Sequence, residues 1–374
     1  PVYAIIPFED LVPQWKVLEV DGLSPIRKDF DRTVYPLSVP IALHGVDTGP
    51  EGTVLMAFES LLSDTFNRDR DKLTTIVLTG VTALVRATAW EMELKGITYP
   101  AIDVGEMLRE ADLTHISNEV PFVEKCPEPD PGQTGMVFCS DPKYMELLKE
   151  VGTDVVELTG DHFGDWGSDA VLYSLGLYKE NGLPYYGGGA TPEEGRRAVT
   201  FEHNGNKIAF LGCNGKGGGY APGAIGLPGA IDCDFDIFAN EIESVIEEGY
   251  LVIFTFQHNE VYSFVPGQQL MNDFRTVARY GAKIVSGSQA HQPHNIEFYE
   301  DSILMYGLGN LFFDQVGVSE DTARALIARH VIYDNKHIST ELFTIYFSDY
   351  SRPRYMDEEG RIKLLTDVFT ASGW

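Results

Sequence analysis

Residues able to hold a metal ion or move a proton stand where four strand-like runs end: Glu119, Asp161 with His162, His258, and His291. Each run is short, rich in β-branched or aromatic residues, and bounded by glycine or polar residues, the pattern of a buried strand. Where strands alternate with helices, strand ends distant in sequence converge on one edge of the sheet, so these side chains are expected to share a pocket. The most pointed run is Asp154-Val155-Val156-Glu157-Leu158-Thr159, which stops on Gly160-Asp161-His162 ahead of Asp165-Trp166-Gly167. Its loop position is expected to present Asp161 and His162 rather than bury them, and a carboxylate beside an imidazole ligates a metal or relays a proton. Taken singly, each histidine is better explained as a packed residue and Asp161 as a helix cap. The convergence of four ends carries the argument.

The elements that would position these residues begin at Leu73. Strands are expected at 73–78, 113–117, 154–159, 250–256, 283–286, 295–299 and 302–306. Helices are expected at 103–111 with Asp103 as cap, at 168–180, 235–248 and 266–280, and at 141–152, where Asp141 caps, Pro142 starts and Gly152 ends the helix. Hairpins follow at 199–213, across Asn204-Gly205-Asn206, and at 329–347, around Asp334-Asn335. The glycine-rich stretch 214–232 lacks the Lys-Ser/Thr ending of a P-loop and no helix follows at once, so it reads as an irregular loop near the site. The alternation gives an α/β fold over 71–347, between an N-terminal segment, 1–70, and a C-terminal tail, 348–374. The N-terminal segment shows strand-like pieces at 2–9, 15–22 and 35–43 divided by Pro and Gly, a helical spacing at 53–67, and a charged linker at 68–72.

A chain of 374 residues that is 44% hydrophobic can bury a large core. Its 28 Lys and Arg against 56 Asp and Glu give a net charge of −28, which argues against nucleic acid as a partner and requires Arg86, Lys216 or a metal wherever a polyanion is to be held. No apolar run approaches the length that spans a bilayer, and the opening Pro1-Val2-Tyr3 has no charged-then-apolar leader, so any export signal is expected to have been removed or to lie outside the sequence. Cys126 and Cys139 bracket one loop and Cys213 and Cys233 another, so each pair could close a local disulfide, which favours an oxidising compartment. Four unrelated thiols are the alternative, and zinc is less well suited because none has Cys-x-x-Cys spacing.

In order, these motifs resemble those of the bacterial capsule-synthesis protein family, CapA or PGA_cap, over about residues 73–314. Leu78-Thr79-Gly80 resembles the family's Thr-Gly-Asp, Ser117-Asn118-Glu119 its Asn-Leu-Glu, and Gly160-Asp161-His162 with Asp165-Trp166-Gly167 its Asn-Asn-His and Asp-Tyr-Gly. Gln257-His258-Asn259-Glu260-Val261-Tyr262 is similar to His-Trp-Gly-x-Glu-Tyr, Gly287 to His291 to Gly-His-His-Pro-His, and Tyr306-Gly307-Leu308-Gly309-Asn310 through Asp314 to Tyr-Ser-Leu-Gly-Asn-Phe-x-Phe-Asp. The resemblance implies a layered α/β sandwich of the calcineurin-like metallophosphoesterase type, a link to poly-γ-glutamate or another extracellular polymer, and a secreted or cell-surface location. Residues 1–45 resemble the closing part of a periplasmic solute-binding domain.

The departures reshape the implied site. Val81 stands where the pattern has its first Asp, and Ser288 and Gln289 stand where it has histidines, so a dinuclear centre loses ligands at both positions. Asp161 in place of Asn is a stronger ligand for a hard cation. What remains is one divalent ion (Mn, Zn or Fe) on Glu119, Asp161, His258 and His291, with His162 as general acid and Asn118, Asn259, Glu260 and Asn310 as binding residues, or no metal at all. Two functions follow. One is a metal-dependent, phosphoesterase-like hydrolase acting on a small molecule or polymer. The other is a non-catalytic envelope protein with a ligand pocket lined by Trp166, Tyr185, Tyr186, Tyr220 and Tyr262.

Overall fold

The computed structural model describes residues 3–39, Ala57 and 66–374. Two mixed sheets carry the chain. The first holds Leu73–Leu78 (β1), Val81–Thr82 (β2), Leu113–Asn118 (β3), Val155–Glu157 (β4), Tyr185–Tyr186 (β5), Asn310–Phe312 (β14), Arg324–Tyr333 (β15), Lys336–Phe347 (β16) and Pro353–Tyr355 (β17). The second holds Val199–His203 (β7), Asn206–Asn214 (β8), Leu251–Gln257 (β10), Ile284–Gly287 (β11), Ile296–Tyr299 (β12) and Ser302–Met305 (β13). A short ribbon pairs Gly188–Gly189 (β6) with Gly229–Ala230 (β9).

The layering follows from strand periodicity. Successive strand residues face opposite sides, so an unbroken apolar run is what a strand covered on both faces requires. In β1, Ile76 and Leu78 join the cluster between the sheets, with Tyr186, Phe210, Leu251 and Ile253, while Val77 turns to the opposite cluster. In β10 the alternation repeats: Leu251 and Ile253 point inward, and Val252, Phe254 and Phe256 pack outward with Phe238, Phe274 and Val277 of the helices Phe235–Glu247 and Gln268–Tyr280. Helices thus cover the outer face of each sheet, in the layered α/β sandwich that the family resemblance implies.

Parallel pairing sets where the loops emerge. The pairs β1–β3, β3–β4 and β4–β5 are parallel in one sheet, as are β8–β10, β10–β11 and β11–β13 in the other. Their carboxyl ends lie in register, with Ser117 opposite Glu157, Asn214 opposite Gln257 and Phe256 opposite Gly287. Gly80 separates β1 from β2 because the chain passes against the carbonyl of Gly309, which a Cβ at position 80 would overlap.

Several expectations are corrected. Asp103 does not cap the helix Gly105–Glu110; its carboxylate binds the Arg352 guanidinium at 2.8 Å instead. The strand-like pieces at the N-terminus form no ladder among the described residues: Phe8–Asp10 is a 3₁₀ turn, and Phe8 and Ile26 pack on Leu73, Val331 and Ile338, so this segment is fastened to one end of the neighbouring strands β1, β15 and β16. The expected helix at 53–67 lies largely outside the described residues. The C-terminal tail contains the helix Glu358–Ala371, capped by Asp357, which seats Leu364 and Val368 in the inter-sheet core. Asp141 does cap, accepting from Lys143 N at 2.9 Å, at a 3₁₀ turn that leads into the helix Met145–Glu150.

Candidate metal centre

Glycine brings the first two acids together. A Cβ at Gly160 would meet the Glu119 backbone, with Cα at 2.6 Å, so only glycine lets the loop after β4 lie on the end of β3. The main-chain N–H of Asp161 donates to the Gln257 side chain, pinning the loop to the end of β10 in the other sheet. Asn214, fully buried at the end of β8, donates to Thr159 O at 2.8 Å and fastens it a second time. Asp161 is therefore buried, at 6% exposure, not presented to solvent; the opposing sheet closes over the loop.

Ligand atoms of Glu119, Asp161 and His162 lie within 4.8 Å of one another. His162 Nδ1 lies 2.8 Å from Asp165 Oδ2, which leaves Nε2 facing Glu119 at 3.9 Å and Asp161 at 4.0 Å. The edge of Phe138 holds the imidazole at 4.6 Å between ring centroids. Glu119 Oε2 and Asp161 Oδ1 are buried without a hydrogen-bond partner. Burial, and then the Asp161 charge beside it, push the Glu119 carboxyl well above the usual carboxylate range. Two orphaned carboxylate oxygens and an imidazole nitrogen whose other nitrogen is held by a carboxylate form a donor set suited to one divalent cation.

A cationic side chain already touches this set. Lys216 Nζ lies 2.6 Å from Asp161 Oδ2 and 4.1 Å from the centre of the Tyr220 ring. Burial works against its charge, but Asp161, with Glu260 beyond it, more than offsets this and raises its pKa. Arg86, the other basic residue considered, is engaged by Asp314 (Nε to Oδ1, 3.0 Å) and stacks between Phe138 and Phe313. It anchors the start of the helix Arg86–Lys95 and offers no charge to the pocket.

The two remaining histidines stand apart from the cluster. His258 has both ring nitrogens engaged: Nδ1 accepts from Asn259 N at 2.8 Å and Nε2 lies 3.0 Å from Asp273 Oδ2. Its ring packs against the bare backbone of Gly215. With both nitrogens engaged, His258 does not join the grouped ligand atoms of Glu119, Asp161 and His162. His291 Nδ1 pairs with Asn310 Oδ1 at 2.9 Å, and its Nε2 lies 3.6 Å from Glu260 Oε1. Glu260 also accepts from Gln289 at 3.1 Å and Tyr262 at 2.8 Å, and His291 holds its carboxyl down at about 2 against the opposing effect of burial. His291, Glu260, Gln289 and Asn310 thus form a closed network beside the cluster, and His162 is the histidine whose ring nitrogen lies with the Glu119 and Asp161 oxygens.

The other candidates divide. Asn118 points under the helix Gly167–Glu180, donating to Tyr178 OH at 2.7 Å and Val120 O at 2.9 Å, and Asn259 is exposed. Among the aromatics, Trp166, Tyr220 and Tyr262 are exposed on the surface, whereas Tyr186 is sealed between the sheets on Thr255 and Tyr185 binds Glu194. Val81 joins Ala83, Val85, Val120, Phe138 and Phe313 in a buried apolar cluster where the motif calls for a carboxylate. Both cysteine pairs are disulfides, Cys126–Cys139 and Cys213–Cys233. The sequence motifs contain Asp165 and Gln257 without giving either a role, and Asp273 lies outside them; the His-x-x-Asp spacing of 162 and 165 is the available signal for the first.

Residues 75–315 match the family of the bacterial capsule synthesis protein PGA_cap. The PGA biosynthesis protein CapA of Bacillus subtilis (strain 168) is 25% identical over 193 residues, 51% of this chain and 50% of that protein. The capsule biosynthesis protein CapA of Bacillus anthracis is 23% identical over 273 residues, 71% of this chain and 65% of that protein. The chain thus spans about half to two thirds of the length of these relatives. Among solved structures, Haemophilus influenzae NAD nucleotidase (NadN) aligns at a TM-score of 0.44 and 9% identity, over 80% of this chain and 56% of that one. The protein TT1561 of Thermus thermophilus aligns at 0.38 and 10%, over 72% and 98%.

Proposed function

The chain belongs to the bacterial capsule synthesis protein family PGA_cap, and from that premise we propose that it is a metal-dependent hydrolase of capsule or exopolymer assembly, holding one divalent ion on Glu119, Asp161 and His162. The observation that carries this reading is the pair of buried, unpartnered oxygens, Glu119 Oε2 and Asp161 Oδ1, beside His162 Nε2. A bound divalent ion there supplies Lewis acidity and an activated water. Asp165 orients His162, Gln257 and Asn214 fix the Asp161 loop, and Glu260 with Tyr262 forms a polar rim on which a substrate would be positioned. A polymer of the poly-γ-glutamate type is the substrate class supported by the name of the Bacillus subtilis relative, a PGA biosynthesis protein, and the Bacillus anthracis relative's name supports a capsule polymer. The two disulfides support a site of action outside the cell or at its surface, and no described helix is long and apolar enough to cross a membrane.

A second reading, a non-catalytic envelope protein, draws support from Lys216 on Asp161 and from the engagement of His258 and His291 elsewhere. Metal analysis of the purified chain, with turnover of a chromogenic phosphodiester with and without manganese, separates the two. A stoichiometric ion whose removal abolishes turnover supports the hydrolase. A metal-free, inert protein that takes up no manganese removes it.

A further inference from the structure

The region around Asp161 contains a positive charge of its own, and an apolar residue, Val81, stands where the motif has a carboxylate. Lys216 is held there by several independent contacts. Its main-chain N–H and that of Gly217 donate to the buried Asn214 side chain at 3.0 Å each, fixing the turn. Its ammonium binds Asp161 Oδ2 at 2.6 Å and lies over Tyr220, and its side chain is only 20% exposed. Val81 packs with Val120, Phe138 and Phe313 in a buried apolar cluster and offers no ligand atom. Asp161 thus divides its two oxygens: Oδ2 goes to the ammonium, while Oδ1 stays buried and unpartnered beside the equally unpartnered Glu119 Oε2.

We propose that Lys216 is the built-in second cation of this centre, occupying one oxygen of Asp161 so that the site takes a single divalent ion and the ammonium stands beside it to receive an anionic group of the substrate. This rests on the one-ion reading above. An ammonium and a divalent ion that share one carboxylate repel each other, so the lysine weakens metal binding while supplying charge that a bound phosphoryl or carboxylate oxygen can use. A lysine that served only to stiffen the loop would do the reverse, since its loss would loosen Asp161 and weaken metal binding.

The test is manganese binding to the full chain by calorimetry and equilibrium dialysis, in the wild type, Lys216→Met and Lys216→Arg, with circular dichroism to verify folding. The expected result is one ion in the wild type and in Lys216→Arg. In Lys216→Met, affinity is expected to rise about tenfold, or a second ion to bind, while turnover falls. Two ions in the wild type, or unchanged or weaker binding in Lys216→Met, overturn the inference. If the wild type binds none and Lys216→Met binds one, the one-ion hydrolase reading fails while Lys216 stands as the resident cation. If neither binds, both fail.

Discussion

His162 and Asp165, three residues apart, meet at 2.8 Å through Nδ1 and Oδ2, so that the carboxylate fixes the imidazole with Nε2 toward Glu119 and Asp161. The same Asp165 oxygen accepts from Phe138 N at 2.8 Å, tying the disulfide loop to the histidine. Asp165→Asn keeps the shape but withdraws the charge that makes His162 Nε2 a good donor. Manganese affinity is expected to fall about 10- to 100-fold, with melting close to wild type. Calorimetric titration checks this; an unchanged Kd would detach Asp165 from the site.

His162→Ala removes a side chain that is 12% exposed and supplies the one imidazole nitrogen of the cluster. Turnover of the phosphodiester is expected to vanish, while the melting temperature stays within a few degrees of wild type. A collapse in stability would make His162 a packing residue, and full activity would remove it from the chemistry.

Gly160→Ala tests the contact that creates the centre. Its Cβ would press on the Glu119 backbone, with Cα at 2.6 Å, and backbone on both sides cannot yield cheaply. A loss of about 3 kcal/mol or more is expected in urea unfolding. Gly176→Ala is the control: it lies inside the helix Gly167–Glu180 with no atom within 4 Å of the new Cβ and should gain about 0.5–1 kcal/mol. Equal effects at the two positions would refute the packing argument.

Much of this arrangement was legible because it is written in local patterns. β1, β3, β4 and β10 are short runs rich in β-branched or aromatic residues, and Glu119 and Asp161 with His162 stand just past the ends of two of them. The choice among histidines was not legible, because it depends on partners far away in sequence: Asp273 claims His258 across 15 residues and Asn310 claims His291 across 19. The burial of Asp161 was missed for a similar reason, since the covering side chain, Gln257, is 96 residues distant. The C-terminal helix did leave a signal, in Asp357 before Glu358 and Glu359 and in the apolar spacing of Leu364 and Val368.

The disulfides brace the site from two sides. Cys213–Cys233 closes the loop that carries Lys216 and Tyr220, and Cys126–Cys139 closes the loop that ends at Phe138. Closing rings with separations of 13 and 20 residues is worth about 3 kcal/mol each on the chain-entropy estimate. Reduction is therefore expected to lower the melting temperature by several degrees for each bond, read as melting curves with free thiols counted. Complete reduction without a shift would show that neither loop is under this constraint.

Acid should weaken the fold through histidines remote from the candidate centre. Burial holds His337 at about 4 and His330 well below its usual value, the latter also through the charge of His337, where the two face each other across the β15–β16 hairpin at 3.2 Å. Burial likewise holds His294 at about 4, with Nε2 on Val261 O at 2.9 Å. The sign follows from the order of protonation. Unfolded histidine takes up its proton near pH 6.5, while the folded protein refuses it until near pH 4, so the stability is complete above 6.5 and is lost as pH falls toward 4. For His294 and for His337 the loss is about 1 kcal/mol each by pH 5.5, rising to about 3 kcal/mol each by pH 4. Urea midpoints measured from pH 7.5 to 5 should therefore fall steadily once pH drops below about 6.5, and His337→Asn should flatten the slope even if it lowers the stability at pH 7.5. Midpoints that hold level down to pH 5 would mean that these imidazoles reach protons in the folded chain, and the packing described around them would be wrong.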